Sequence, residues 1–331
     1  MRVDSPIVSI VVPVYNVQDY LDECIESLVN QSLKDIEIIC VNDASTDTCL
    51  DKLKSWAAKD DRIQVIDLPE NRGLGSARNV GIKIARGHYL GFVDSDDYVS
   101  TDFYQSLVGA SGMEADVVTS NLKKRVGMVN KLVRRFDNTF DLNNQEKIKK
   151  DIAAYGCRLW QSIFKRQYIV EKKLFFPDRV FYEDYAIVAC MFLLANRVVV
   201  VDNKSPYYFY RVRPQSIAHG TFTKQKLYDR LFTAKMMIQN AETHNLIEKY
   251  REEFDYQFYR IFYYSTLKLL MFRADRYSFD SVRKVYQEYM SSVGNFPSNS
   301  YILNLNHVRL LKLIGKYPVI GKVVRIFKIF S

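Results

Sequence analysis

The chain has 331 residues, of which 48% are hydrophobic and 26% charged, with a net charge of +9. That is enough apolar sequence for one large α/β domain with a helical appendage, and it excludes a disordered chain. The charge is unevenly spread: residues 289–331 hold six basic residues and no acid, leaving 41 basic against 38 acidic residues before them. A general nucleic-acid binder, basic throughout, is therefore not the expectation.

A continuous apolar run, Ile7 to Val12, enters Pro13-Val14-Tyr15-Asn16. Such a run suggests a strand covered on both faces, as in a parallel sheet. Pro13, lacking an N–H, is expected to stop the ladder, and Asn16 to cap a helix carrying Leu21, Cys24, Ile25 and Leu28 on one face. A second strand, Ile36 to Val41, ends at Asn42-Asp43-Ala44-Ser45-Thr46-Asp47, and a helix with Leu50, Leu53, Trp56 and Ala57 follows. A third strand, Ile63 to Asp67, precedes Glu70-Asn71-Arg72-Gly73-Leu74-Gly75-Ser76-Ala77-Arg78-Asn79, which opens a third helix. This segment lacks the G-x-G-x-x-G spacing, so its glycines are read as backbone accommodations rather than a phosphate loop. The fourth strand, His88 to Val93, ends at Asp94-Ser95-Asp96-Asp97. Three carboxylates in four residues repel unless a cation or hydrogen-bond donors neutralise them, and oxygen donors suit Mg²⁺ or Mn²⁺. The alternating order implies a mostly parallel sheet with right-handed crossovers. Every polar cluster lies at the carboxyl end of a strand, the edge where open α/β sheets bind ligands.

These four clusters, in this order and spacing, resemble the family 2 inverting glycosyltransferases with the GT-A fold, of the bacterial surface-polysaccharide type. The resemblance is close over residues 6 to about 105 and looser to about 220. It implies a Rossmann-like, mostly parallel sheet flanked by helices, with a C-terminal helical extension. It also implies roles for matching residues. The Pro13 backbone and a stacked Tyr15 would hold the nucleotide base, and Asp43 would accept the N3–H of uracil. Arg72 would lie near the base or diphosphate, Asp94 near the ribose or sugar, and Asp96 would bind a Mn²⁺ or Mg²⁺ ion at the diphosphate. A core aromatic at Tyr15, helix caps at Asp43 and Asp47, and a surface charge at Arg72 are the ordinary alternatives.

The family's catalytic pair matches Phe181-Tyr182-Glu183-Asp184-Tyr185. By resemblance Asp184 is the general base and Glu183 its neighbour, positioning the acceptor. Burial beside other carboxylates is expected to raise the pKa of the base. Two acids favouring a helix N-terminus is the alternative. Trp160 would offer the acceptor a stacking surface, or else is a core tryptophan. Ser162 stands where the family often has lysine. Arg211 and Arg213, following Tyr207 to Tyr210, would share one strand face and bind the diphosphate. Solvated edge charges are the alternative there. His219 could ligate the metal or be structural.

Five cysteines, odd in number and without zinc spacing, read as buried free thiols in a reducing cytosol. The N-terminus enters the first strand almost directly, which reads as no leader. Beyond about Thr223 the segments 223–245, 247–273, 279–291 and 301–330 look helical. The expected organisation is a catalytic domain over 1–220, a helical region over 221–300, and a tail over 301–331. In that tail Arg309, Lys312, Lys316, Lys322, Arg325 and Lys328 oppose an apolar face. The regular charges exclude a spanning helix and suggest a basic amphipathic helix on an anionic membrane surface, or a helix docked on protein.

The expected function is metal-dependent, inverting transfer of a hexosyl group from a nucleotide sugar, expected to be UDP-linked. The acceptor is expected to be a lipid-linked saccharide of a surface glycan such as capsule or lipopolysaccharide, at the cytoplasmic face of the membrane. Oligomeric state is left open, and no nucleic-acid partner is expected. The alternatives are a Mg²⁺-dependent nucleotidyltransferase using a nucleoside triphosphate, or a non-catalytic membrane-binding protein. The first would normally show a Gly-rich phosphate loop after strand one.

Overall fold

The computed structural model describes residues 5–120, 122–126, 129–133, 144–156, 158–201, 207–213, 223–272, 278–293, 314 and 316–318. It divides into two compact units, Met1–Ser216 and Ile217–Ser331.

The first unit begins as a β/α repeat: β1 (Val8–Val14), α1 (Gln18–Val29), β2 (Ile36–Asn42), α2 (Cys49–Ala57), β3 (Ile63–Asp67), α3 (Leu74–Ile84) and β4 (Tyr89–Phe92). Then come β5 (Tyr98–Val99), α4 (Phe103–Ser111), β6 (Val117–Ser120), β7 (Leu122–Val126), β8 (Val129–Val133) and α5 (Gln145–Asp151). The unit closes with β9 (Ser162–Lys165), α6 (Arg166–Glu171), α7 (Val188–Leu193), β10 (Val198–Val201) and β11 (Tyr208–Arg211). Seven strands form one sheet in the order β10-β6-β9-β4-β1-β2-β3, and β5-β11-β7-β8 form a smaller one. Within the large sheet β9 runs antiparallel to β4 and β6, and the other pairs are parallel. Every residue of β1 and β2 is buried, as expected of strands covered on both faces. Helix α1 buries Leu21, Cys24, Ile25 and Leu28, the face its periodicity marks. Helix α2 buries Cys49 and Leu53, while Trp56 stays partly exposed.

Two local expectations at the start of the chain are corrected. Pro13 does not end β1, which continues to Val14 with Pro13 opposite Val41. The β4 register ends at Phe92 opposite Val11. Pro13 therefore lies where β1 has β2 as its one remaining neighbour, and a missing N–H is tolerated as on an edge strand. Nor does Asn16 cap α1. It sits at φ 51°, and its side-chain oxygen accepts from Thr46 N at 2.8 Å. Asp47 serves the helix starts instead, accepting from Gln18 N and from Cys49 N, each at 3.0 Å. Burial opposes the charged form of Asp47, but these donors outweigh it and hold its pKa below the ordinary value.

Glu37 is the one acid inside β2, and it is buried. Its Oε1 accepts from Ser9 Oγ (2.6 Å) and Arg86 N (2.7 Å), and its Oε2 from Arg86 Nε (3.0 Å). Burial raises its pKa, yet the Ser9 and Arg86 hydrogen bonds prevail and the net shift is downward. A depressed carboxyl stabilises the fold above its unfolded pKa, and that stability is lost as pH falls through the folded pKa. Glu37→Ala should cost about 3 kcal/mol in denaturant unfolding at neutral pH, the scale of a buried charge-assisted network. The difference should shrink in acid. A loss under about 0.5 kcal/mol, the range of ordinary surface substitutions, would contradict this.

The second unit is helical: α8 (Lys224–Thr243), α9 (Arg251–Phe258), a π-helical turn (Tyr259–Tyr264), α10 (Ser265–Phe272) and α11 (Phe279–Val293). Tyr250, Tyr259, Tyr263 and Tyr289 are each at most 1% exposed, and the rings of Tyr263 and Tyr289 stack at 4.7 Å. Much of the tyrosine excess in this half is therefore core. Of the tail, Ile314 and Pro318 are buried while Lys316 and Tyr317 are exposed; the remainder of the expected amphipathic helix lies outside the described residues. No helix among the described residues is long and apolar enough to cross a membrane. Four cysteines, Cys24, Cys40, Cys49 and Cys190, are free and buried.

Candidate functional site

The carboxyl ends of β1, β2 and β4 lie side by side in the sheet, so the residues that follow them share one edge. Tyr15, just past β1, is 46% exposed. Asp43, just past β2, is buried. Its two oxygens accept from the backbone N–H groups of Arg72 and Gly73, each at 2.8 Å. Asp43 thus anchors the loop after β3, and each oxygen keeps further lone-pair capacity for a base N–H. The Arg72 side chain points to Asp178, with Nη2 2.9 Å from Oδ2.

Of the three acids in Asp94-Ser95-Asp96-Asp97 after β4, Asp96 and Asp97 are held by donors from β11 and beyond. Tyr208 donates its hydroxyl to Asp97 Oδ2 (2.8 Å) and accepts from Asp94 N (3.1 Å). Arg211 donates its backbone N to Asp97 Oδ1 (2.7 Å), its Nε to the Asp96 carbonyl (2.9 Å), and its Nη2 to Glu23 (2.5 Å). Arg213 pairs through Nε with Asp96 Oδ2. Both guanidinium groups lie over the Tyr20 ring, at 5.1 and 5.4 Å. Both arginines thus lie against the acid cluster, but β11 ends at Arg211, so they do not share a strand face as expected. Burial, reinforced by Asp96 and Asp94, pushes the Asp97 carboxyl well above the usual range. Burial also raises Asp94, with Arg78 pulling the other way and Asp96 and Asp184 adding to the rise.

Such a crowd of carboxylates is a cation-seeking arrangement. Among the described residues no group of three or more His, Cys, Asp or Glu side chains could hold a metal ion by itself. Asp94 and Asp96 carry oxygen donors of the kind Mg²⁺ or Mn²⁺ prefers, with Asp94 Oδ1 paired to Arg78 and Asp96 Oδ2 to Arg213. Such ions take one or two carboxylates and complete their shell with substrate phosphate and water. His219 lies outside the described residues.

The Glu183–Ala186 segment is a single 3-10 turn, followed after Ile187 by α7, rather than one continuous helix. Glu183 is buried and Asp184 half-buried, with Asp184 Oδ1 accepting from Tyr185 N at 3.0 Å. The carboxyl that burial raises is that of Glu183, pushed up to about 7 although the Arg78 guanidinium pulls it down. The motif 70–79 receives the segment leading to this turn. Arg179 pairs with Glu70 at 2.6 Å and Asp178 with Arg72. Asn79 donates to Phe176 O (2.8 Å) and accepts from Phe176 N (2.9 Å). A Cβ on Gly75 would stand 2.2 Å from Pro177 O, so glycine is required by this close approach, as the accommodating role supposed.

Trp160 is 7% exposed, with its ring stacked on Tyr208 at 4.5 Å and on Tyr210 at 5.7 Å. The Arg158 guanidinium lies 5.2 Å from its ring centroid. It packs as a core aromatic behind the acid cluster, which leaves little face for an acceptor. Ser162, in place of the family lysine, is buried in β9 and donates to Thr119 Oγ1 at 2.9 Å.

Two residues of the site carried no assigned role in the sequence reading. Tyr208 links Asp94 and Asp97. Arg78, 2% exposed, pairs with both Glu183 and Asp94. A signal for Arg78 did exist: it shares a helix face with Gly75, Gly81 and Ile82, where a charge demands a buried partner.

The family model for Glycosyl transferase family 2 matches residues 9–167. The Bacillus subtilis (strain 168) protein named "Putative glycosyltransferase EpsH" is 32% identical over 263 residues, covering 76% of this chain and 74% of its own. The fold is shared with S. aureus TarS 1-349, solved in complex with UDP-GlcNAc, at a TM-score of 0.67 and 19% identity; the match covers 97% of this chain and 92% of that one. It is shared also with the mannosyltransferase PcManGT from Pyrobaculum calidifontis, solved with GDP-Man and Mn²⁺, at a TM-score of 0.53 and 14% identity, covering 98% and 88%. The chain belongs to glycosyl transferase family 2 and is a glycosyltransferase of the GT-A fold.

Proposed function

We propose that the chain transfers a hexosyl group from a UDP-sugar to a saccharide acceptor, with inversion at the anomeric carbon, in surface-polysaccharide synthesis. The observation that carries this reading is the shared sheet edge. Tyr15, Asp43, Asp94 and Asp96 follow its strands, and Asp184 is close enough for its charge to act on Asp94 and Arg78. TarS, a fold neighbour, was solved with UDP-GlcNAc, which supports a uridine donor.

Asp184 takes the proton of the acceptor hydroxyl, and the oxygen attacks the anomeric carbon opposite the diphosphate. The new glycosidic bond forms as the bond to the diphosphate breaks, so one displacement inverts the centre. Arg211 and Arg213 face the leaving diphosphate and stabilise its charge. Asp96 would hold a Mg²⁺ or Mn²⁺ ion, which would supply further neutralisation of that charge; the PcManGT neighbour was solved with Mn²⁺. The acceptor is a lipid-linked saccharide, and the basic tail attaches the protein to the inner membrane surface. The six unopposed basic residues support that attachment.

A donor panel read by nucleotide release tests the function. UDP-sugars should release UDP only when a saccharide acceptor is present, and CDP- and GDP-sugars should not react. Transfer from GDP-sugars alone would contradict the uridine assignment. Asp43→Ala should weaken UDP binding by roughly 1–3 kcal/mol, the scale of hydrogen bonds to a charged group. Equal calorimetric affinities for UDP and CDP in the unmodified protein would overturn the role of Asp43.

A further inference from the structure

We infer that Arg78 is the positioning residue of the base-bearing turn, holding Glu183, and through it Asp184, in register with the donor-side carboxylate Asp94. The inference rests on the transferase reading above and goes beyond it by naming what sets the base relative to the donor. Arg78 is buried, and its two terminal nitrogens go to different elements: Nη1 to Glu183 and Nη2 to Asp94 Oδ1 at 2.7 Å. Its guanidinium lies 5.5 Å from the Phe176 ring centroid, on the segment that leads to the turn. The paired hydrogen bonds of Asn79 with Phe176 and the close seat of Gly75 on Pro177 fix helix α3 against that same segment.

The turn needs such a hold. Tyr182, immediately before Glu183, sits at φ 63°, a left-handed conformation that is strained for a bulky side chain. Glu183, Asp184 and Asp94 are all acids, and their mutual repulsion would spread them without a cation among them. A planar fork can bond two carboxylates in different directions at once, whereas an ammonium offers one point charge. At 2% exposed, with each terminal nitrogen bonded to a protein carboxylate, Arg78 is placed to act through Glu183 and Asp94.

Arg78→Lys tests this, because it keeps the charge and loses the fork. The kcat for transfer should fall at least about tenfold, within the roughly 10²-fold cost of a small misplacement at the reacting atoms, with UDP affinity changed less than about threefold. Amide exchange at 182–187 should quicken while that in β1 and β2 stays as it was. The double variant Arg78→Met with Glu183→Gln removes both charges, so it is the one to use if single neutralisation prevents folding. It should lose less than the product of the two single-variant losses, since the Arg78–Glu183 contact is counted in both while the Arg78–Asp94 contact is lost only with Arg78. Arg78→Lys with unaltered kcat and exchange would overturn the inference. So would UDP affinity falling in step with kcat, which would make Arg78 a donor ligand, or additive losses in the double variant. Failure of the unmodified protein to release nucleotide from any donor would overturn the transferase reading alone, and exchange at 182–187 would still test the contact.

Discussion

Replacing Asp184 by Asn should lower transfer by at least about 10²-fold, the lower range for losing a general base. The substitution keeps size and shape. It preserves an oxygen to accept from Tyr185 N, so the turn should remain folded. The change is confined to proton-accepting ability, which acceptor activation needs and nucleotide binding does not. UDP affinity should therefore hold. The structure sharpens this contrast by separating the two neighbouring acids. Glu183 is buried and paired with Arg78, while Asp184 is half-buried on the same turn. If Asp184→Asn keeps the parent rate and Glu183→Gln is inactive, the two roles are exchanged.

Excess chelator should abolish transfer, and added Mg²⁺ or Mn²⁺ should restore it. Asp96→Ala should reproduce the loss at about 10²-fold or more, the scale of removing one stabiliser of developing charge. The protein should stay folded, because the Asp96–Arg213 pair is partly exposed, with side chains 18% and 20% accessible. Freed of Asp96, Arg213 would still have the Tyr20 ring to lie on. Full activity in excess chelator would exclude the metal role of Asp96.

The parallel strands were legible because β1 and β2 are apolar runs buried on both faces, and the acid clusters because they repeat at strand ends. What was not legible depends on distant partners. The antiparallel β9 is defined by β4 and β6, each well removed in sequence, and Trp160-Gln161-Ser162-Ile163-Phe164 carries no clear alternation of its own. Pro13 reads as a stop until β4 is seen to end at Phe92. Asn16 reads as a cap until Asp47 is seen to fill that role from another loop. Arg78 and Tyr208 follow the same logic, since their partners stand 105 and 111 residues away. The quoted motifs showed which residues cluster. They could not show that residues 70–79 form the seat of the segment leading to Glu183 and Asp184.

The most direct test is the anomeric configuration of the product. Using the donor and acceptor found by nucleotide release, the first-formed linkage can be followed by proton NMR. An α-linked UDP-sugar should give a β-linked glycoside, and no glycosyl-enzyme should be trapped at Asp184 or Glu183. An α-linked product would contradict a single displacement with Asp184 as base.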